Sequence, residues 1–195
     1  MHKLPWPVIL ASASPRRQEL LKSLISEFKI EASNVDEDAL GDPDPWVTAQ
    51  KLAKEKAVSV YDKNPESFVI GGDTVVAFEG ENGWEQLAKP VDQADAVRML
   101  SLLAGRTHTV ITGVCLVWPG GLSSFTEASQ VTFKKVTKEQ IEKYVAGGEP
   151  MDKAGAYGLQ GEAKGFVESV RGSVNNVIGL PTERLEEALR SILKG

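Results

Sequence analysis

The stretch from Thr107 to Lys134, THTVITGVCLVWPGGLSSFTEASQVTFK, decides how this chain folds. Thr107 to Val117 is a long apolar and β-branched run, and Ser124 to Lys134 is a second one. Pro119-Gly120-Gly121 supplies turn residues between them. Two long strands joined by a turn are neighbours, which does not suit a purely parallel sheet. Helices and strands intermix through the rest of the chain. The expected fold class is therefore α/β, with a mixed central sheet and flanking helices.

Outward from that hairpin, the patterns divide the chain into short elements. Val8-Ile9-Leu10-Ala11 predicts a buried first strand. Ser14 can cap the helix that follows, with Pro15 at its first position and Leu20, Leu21, Leu24 and Ile25 on one face. Phe28, Ile30 and Ala32 alternate as a second strand would. Asp44-Pro45 opens a helix with Trp46, Ala49, Ala53, Ala57 and Val60 as its inward stripe. Phe68-Val69-Ile70 and Val75-Val76-Ala77-Phe78 read as two strands separated by Gly71-Gly72-Asp73-Thr74. Asp92 starts a helix through Leu103 that Gly105 ends. Thr137 with Gln140 forms a capping-box pattern for a helix to Val145. Gly147 to Gly165 reads as a loop, followed by a strand near Phe166 to Val170 and a helix from about Pro181 to Leu193.

The composition sets limits. The chain has 195 residues and a formal net charge of −5, so a basic nucleic-acid groove and an anionic membrane surface are disfavoured. A polyanionic ligand must instead meet a local cluster of Lys and Arg. The single cysteine, Cys115, lies in an apolar run and rules out an internal disulfide or a thiolate zinc site. It reads as a buried, inert thiol. The patch Leu4 to Ala11 is interrupted by Pro5 and Pro7 and is too short for a signal peptide, and no run reaches membrane-spanning length. The expected compartment is the cytoplasm.

Several segments can carry chemistry. Ser12-Ala13-Ser14-Pro15-Arg16-Arg17 lies between a buried strand and a helix N-terminus, where free N–H groups, hydroxyls and guanidiniums can meet phosphate oxygens. Taken alone it reads slightly better as a Ser cap followed by solvated arginines. Asp36-Glu37 follows the second strand and reads alone as a solvated acidic loop. Asp73 follows Gly71-Gly72, where a carboxylate could bind a hard cation or simply turn the chain. Lys56, beside a core stripe, and Lys89, before Pro90, each read singly as lysines reaching out to water. The small-residue segment Asp152 to Gly161 carries Lys153, Tyr157 and Gln160, and a Gln amide can match a nucleobase edge. There is no Gly-x-x-x-x-Gly-Lys-Ser/Thr loop, dinucleotide fingerprint or Gly-x-Ser-x-Gly elbow. His2 is terminal, and His108 reads as structural. A Ser-His or Cys-His mechanism has little to stand on, whereas Lys, Arg and carboxylates suit phosphoanhydride hydrolysis.

In order along the chain, these pieces resemble the Maf family of nucleotide pyrophosphatases. They are Leu10 to Arg17, Glu37, Ala53-Lys54-Glu55-Lys56-Ala57, Gly72-Asp73-Thr74-Val75-Val76, Lys89-Pro90, His108 to Val114, Asp152 to Gly161 and Asn176 to Pro181. The resemblance implies one domain over residues 1–195, with two lobes around a central cleft, similar to inosine triphosphate pyrophosphatases. It implies cleavage of a nucleoside triphosphate to the monophosphate and pyrophosphate, with a divalent metal cation (Mg²⁺ or Mn²⁺) held by Glu37 and Asp73. Asp73 would accept a proton from the attacking water, and Glu37 and Lys56 would complete the catalytic group. Ser12, Arg16, Arg17, Thr74, Lys89, Lys153 and Gln160 would bind substrate.

Arg16, Thr74 and Gln160 match the branch similar to dTTP/UTP pyrophosphatases, for which modified pyrimidine nucleotides are further candidates. The other branch resembles 7-methyl-GTP pyrophosphatases. The chain departs from the pattern around Glu81 to Gln86, which is expected to lengthen the turn before Lys89. A preference for 7-methyl-GTP or inosine nucleotides, and a non-catalytic nucleotide-binding regulator of division, are the alternatives. No nucleic-acid or membrane partner is expected, and a homodimer is implied by the resemblance alone.

Overall fold

The computed structural model describes residues 2–194, and of Asp38 only the backbone. Seven strands follow the order β2-β1-β3-β5-β6-β7, with β4 paired to β3. Their ranges are β1 Val8–Leu10, β2 Lys29–Ile30, β3 Phe68–Gly80, β4 Gly83–Leu87, β5 Thr107–Trp118, β6 Gly121–Phe133 and β7 Val167–Arg171. The helices are α1 Pro15–Lys22, α2 Pro45–Tyr61, α3 Gln93–Leu103, α4 Lys138–Ala146, α5 Val174–Ile178 and α6 Thr182–Ile192. β1 runs parallel to β2 and β3, whereas β3 with β4 and β6 with β7 are antiparallel, so the sheet is mixed as expected.

The chain divides into two compact units. The first takes residues up to Asp73, Thr112–Glu127 and those from Gly179 on. Its strands alternate their side chains between two apolar faces. Val8, Leu10, Phe68, Ile70, Val114 and Leu116 pack with Leu21 of α1 and with Leu185 and Leu189 of α6. Ile9, Ala11, Val69, Cys115 and Val117 pack with Ala53, Ala57 and Val60 of α2. Burial on both faces is why these strands read as unbroken apolar runs. α1 and α2 both begin as the sequence suggests. The Ser14 hydroxyl accepts from Arg17 N at 3.5 Å, and Asp44 accepts from Trp46 N at 2.8 Å.

The second unit takes Thr74–Ile111 and Ala128–Ile178. Here α3 and α4 pack together, and their apolar faces meet Val76, Leu87, Val110, Val131 and Phe133. Asp92 caps α3 through Asp95 N at 2.8 Å, and Thr137 with Gln140 forms the expected capping box on α4. No helix among the described residues is long and apolar enough to cross a membrane.

Several boundaries differ from the sequence-based expectation. Gly71 to Thr74 does not break the chain but lies inside one strand, β3. Gly71 and Gly113 are glycines because α2 presses on them. A Cβ at Gly71 would lie 2.4 Å from Ala53 O, and one at Gly113 would lie 2.2 Å from Ala49 O. Glu81 to Gln86 is a hairpin rather than a lengthened turn, because Gly83 adopts φ +106° and lets β4 fold back on β3. β2 is reduced to Lys29–Ile30, both exposed at the sheet edge, and Ala32 lies outside it. α1 stops at Lys22, and Leu24 and Ile25 are buried from the turn that follows. α5 was not anticipated, since its five residues are too few for a helical period to show.

Candidate functional site

In the first unit the charged candidates converge on Lys56. The residue lies on the buried face of α2, which the two glycine contacts hold against β3 and β5. Its Nζ is 2.6 Å from Asp73 Oδ1 and 2.8 Å from Glu37 Oε1. Lys56 and Asp73 are each 7% exposed, while the Glu37 side chain is 47% exposed beside the 3-10 turn Asp38–Leu40. Lys56 alone read as a lysine reaching out to water. It turns inward instead because two carboxylates offer its charge a better partner than the apolar stripe does. Asp36 is exposed.

Arg17 organises the loop before α1. Its Nε donates to Gly179 O at 2.9 Å, and its Nη1 donates to Ser12 Oγ at 3.2 Å. Ser12 Oγ also accepts from Ser14 N at 3.3 Å. A Cβ at Gly72 would lie 3.5 Å from Arg17 Nε, an ordinary contact distance, so Arg17 runs alongside this stretch of β3. Burial pushes the Arg17 pKa below its usual value. Asp73 opposes that shift, the Arg16 charge adds to it, and Glu37 opposes it. A guanidinium nevertheless keeps its proton. Ser12, Arg17, Lys56, Glu37 and Asp73 thus form one buried-to-exposed charged group, with half-buried Arg16 beside Arg17. Gly179 adopts φ +129°. No local signal marks a carbonyl that serves an arginine 162 residues away.

The remaining candidates lie in the second unit. Thr74 follows Asp73 along β3 and is half-buried. Lys89 and Gln160 are exposed. Lys153 donates to Glu149 O and, at 2.7 Å, to Asp152 Oδ1. The segment carrying Lys153 and Gln160 is tied to the residues before Lys89, since Gly155 N donates to Ala88 O at 3.1 Å. Gly155 has φ +68°, and a Cβ there would press on Val76 Cγ1 at 2.9 Å. Further along, Tyr157 Oη and His108 Nε2 share a 2.7 Å hydrogen bond, both buried against Phe133. Burial holds the His108 pKa down at about 4. Glu149 staples the end of the segment, accepting from Tyr144 Oη at 3.2 Å and from Glu162 N at 3.0 Å. Gly147 to Gly165, expected as a plain loop, is a chain of short 3-10 turns held by these contacts.

Among the described residues, no three His, Cys, Asp or Glu groups gather as a metal cluster. Two carboxylates on one ammonium are still a hard-oxygen donor pair. Mg²⁺ commonly takes one or two carboxylates and completes its shell with phosphate oxygens and water. The donor chemistry of Glu37 and Asp73 fits such an ion when a phosphorylated ligand supplies the rest.

Residues 7–192 match the family model described as Maf-like protein. A dTTP/UTP pyrophosphatase of Koribacter versatilis is 44% identical, covering 97% of this chain and 96% of that one. Its counterpart in Geobacillus sp. is 46% identical over 91% of this chain and 93% of that one. The counterpart in Aquifex aeolicus is 43% identical over 95% of both. Among solved structures, the Staphylococcus aureus Ham1 protein aligns with 95% of this chain and 99% of its own, at a TM-score of 0.50 and 14% identity. That last likeness is one of fold alone.

Proposed function

This chain belongs to the Maf family, and we propose that it hydrolyses dTTP and UTP to the nucleoside monophosphate and pyrophosphate. The observation that carries the reading is the buried Lys56 ammonium held by Asp73 and Glu37, beside Arg17. A water-activating carboxylate and an excess of fixed cations are what phosphoanhydride cleavage needs, because the transition state gains charge on phosphate oxygens. The names of the three relatives support the pyrimidine preference.

In this reading, Asp73 takes a proton from water as its oxygen bonds to the α-phosphorus. The bond from that phosphorus to the bridging oxygen breaks, and pyrophosphate leaves. Lys56, Arg16 and Arg17 offset its charge, with Arg17 also orienting the Ser12 hydroxyl. Glu37 and Asp73 would hold Mg²⁺ or Mn²⁺, which when bound supplies further positive charge to the phosphate oxygens. Thr74, Lys89, Lys153 and Gln160 serve substrate binding, with Gln160 matching the edge of the base. A cytoplasmic homodimer completes the proposal, and light scattering on the purified protein tests the dimer.

The test is pyrophosphate release from dTTP, UTP, 7-methyl-GTP and ITP, each with Mg²⁺ or Mn²⁺. Release is expected to be greatest from dTTP and UTP, with Gln160→Glu altering the order. A lead for 7-methyl-GTP or ITP overturns the pyrimidine assignment. No release from any nucleotide overturns the activity.

A further inference from the structure

Lys56 holds the same two carboxylates that a divalent cation would need. Its Nζ lies 2.6 Å from Asp73 Oδ1 and 2.8 Å from Glu37 Oε1, and its side chain is only 9% exposed. Arg17 lies in the field of the same two carboxylates, with the Arg16 charge beside it, so fixed positive charge surrounds the pair in addition to Lys56. Adding a free divalent cation to that pair is opposed by every fixed positive charge around it, at short range and partly shielded from water. Adding the same ion together with a triphosphate reverses the sign, because the polyphosphate brings more negative charge than the ion brings positive.

We propose that Lys56 is the resident counter-cation of the nucleotide-free site: its ammonium occupies the Glu37–Asp73 pair, keeps divalent cations out, and passes to the triphosphate when metal and nucleotide arrive together. The inference rests on the reading of Glu37 and Asp73 as the metal-holding carboxylates. The four-carbon stem of Lys56 has rotatable bonds enough to carry Nζ to a phosphate oxygen without moving α2. The exchange also keeps Asp73 paired at every stage. Lys56 is thereby a gate on the order of loading as well as a phosphate-binding group.

The test titrates MnCl₂ into the full chain and reads free Mn²⁺ by electron paramagnetic resonance, with circular dichroism confirming that each variant is folded. Without nucleotide, Lys56→Gln is expected to bind Mn²⁺ at least tenfold more tightly than the wild type. In the wild type, α,β-imido-UTP is expected to raise Mn²⁺ affinity by a similar factor. Equal or weaker binding by Lys56→Gln, with that binding lost in Lys56→Gln/Asp73→Asn, overturns the counter-cation role and leaves the metal site standing. Binding by the double variant as tight as by Lys56→Gln places the ion elsewhere and overturns both readings. A second measurement needs no substitution. The ¹⁵N signal of the Lys56 ammonium should hold its position when MgCl₂ is added alone and move when MgCl₂ is added with α,β-imido-UTP. Movement with MgCl₂ alone overturns the proposal.

Discussion

Replacing Gly71 by Ala tests the link between helix packing and chemistry. The new Cβ would lie 2.4 Å from Ala53 O, 2.7 Å from Ala57 N and 2.8 Å from Ala57 Cβ. Ordinary contact with these atoms begins roughly 1 Å further out. Two of the three are backbone atoms, so no side-chain rotation relieves the clash, and α2 must move off β3 by about that distance. Overpacking of this kind costs about 1–3 kcal/mol. For a chain of this length that corresponds to a fall in Tm of roughly 2–12 °C. The displaced turn of α2 carries Lys56, whose Nζ is 2.6 Å from Asp73. A shift of about 1 Å at a reacting group can cost on the order of 100-fold in rate. Differential scanning fluorimetry and pyrophosphate release from UTP measure the two effects. A Tm within 1 °C or so of wild type, with unchanged kcat, would refute the claim that this glycine exists to seat α2. Loss of stability with unchanged kcat would refute only the coupling to Lys56.

Three further outcomes follow from the same geometry. Asp73→Asn should lower turnover by orders of magnitude while nucleotide binding is retained, which pyrophosphate release and equilibrium binding together check; near-normal turnover removes Asp73 from the role of base. His108 has a folded-state pKa of about 4 because burial disfavours its charged form, against 6.5 when exposed. The unfolded chain therefore binds the extra proton first, so this stability is complete above pH 6.5 and is lost as pH falls towards 4. The loss reaches at most about 3 kcal/mol. Urea denaturation at several pH values should show it, and His108→Gln should flatten the dependence in that window. Cys115 is fully buried, and its thiol pKa is raised to about 11 by burial. It should resist an aromatic disulfide reagent at pH 8 until the protein is unfolded, and rapid native reaction would contradict its placement.

Much of the architecture was legible in the sequence because it depends on near neighbours. The Ser14, Asp44, Asp92 and Thr137 caps each act on an amide two or three residues away. The inward stripe of α2 follows from the helix period, and the unbroken apolar runs of β1 and β5 follow from burial on both faces. The 28-residue stretch from Thr107 to Lys134 forms the hairpin β5–β6, and the turn residues between its strands made that readable. The charged candidates were legible as an ordered set, although each alone had an ordinary surface explanation.

What the sequence by itself determined, then, was most of the helices and strands, the mixed sheet and an ordered set of candidate site residues. Only the tertiary structure decided how those residues meet. It turned Gly71 from an apparent strand break into the seat of a helix, because a missing side chain looks the same whether it serves a turn or a close approach. It turned Lys56 inward onto carboxylates on either side of it in the chain, and it tied Arg17 to a carbonyl 162 residues away. Charge pairing and steric contact act through space, and no local periodicity records which distant groups will share it.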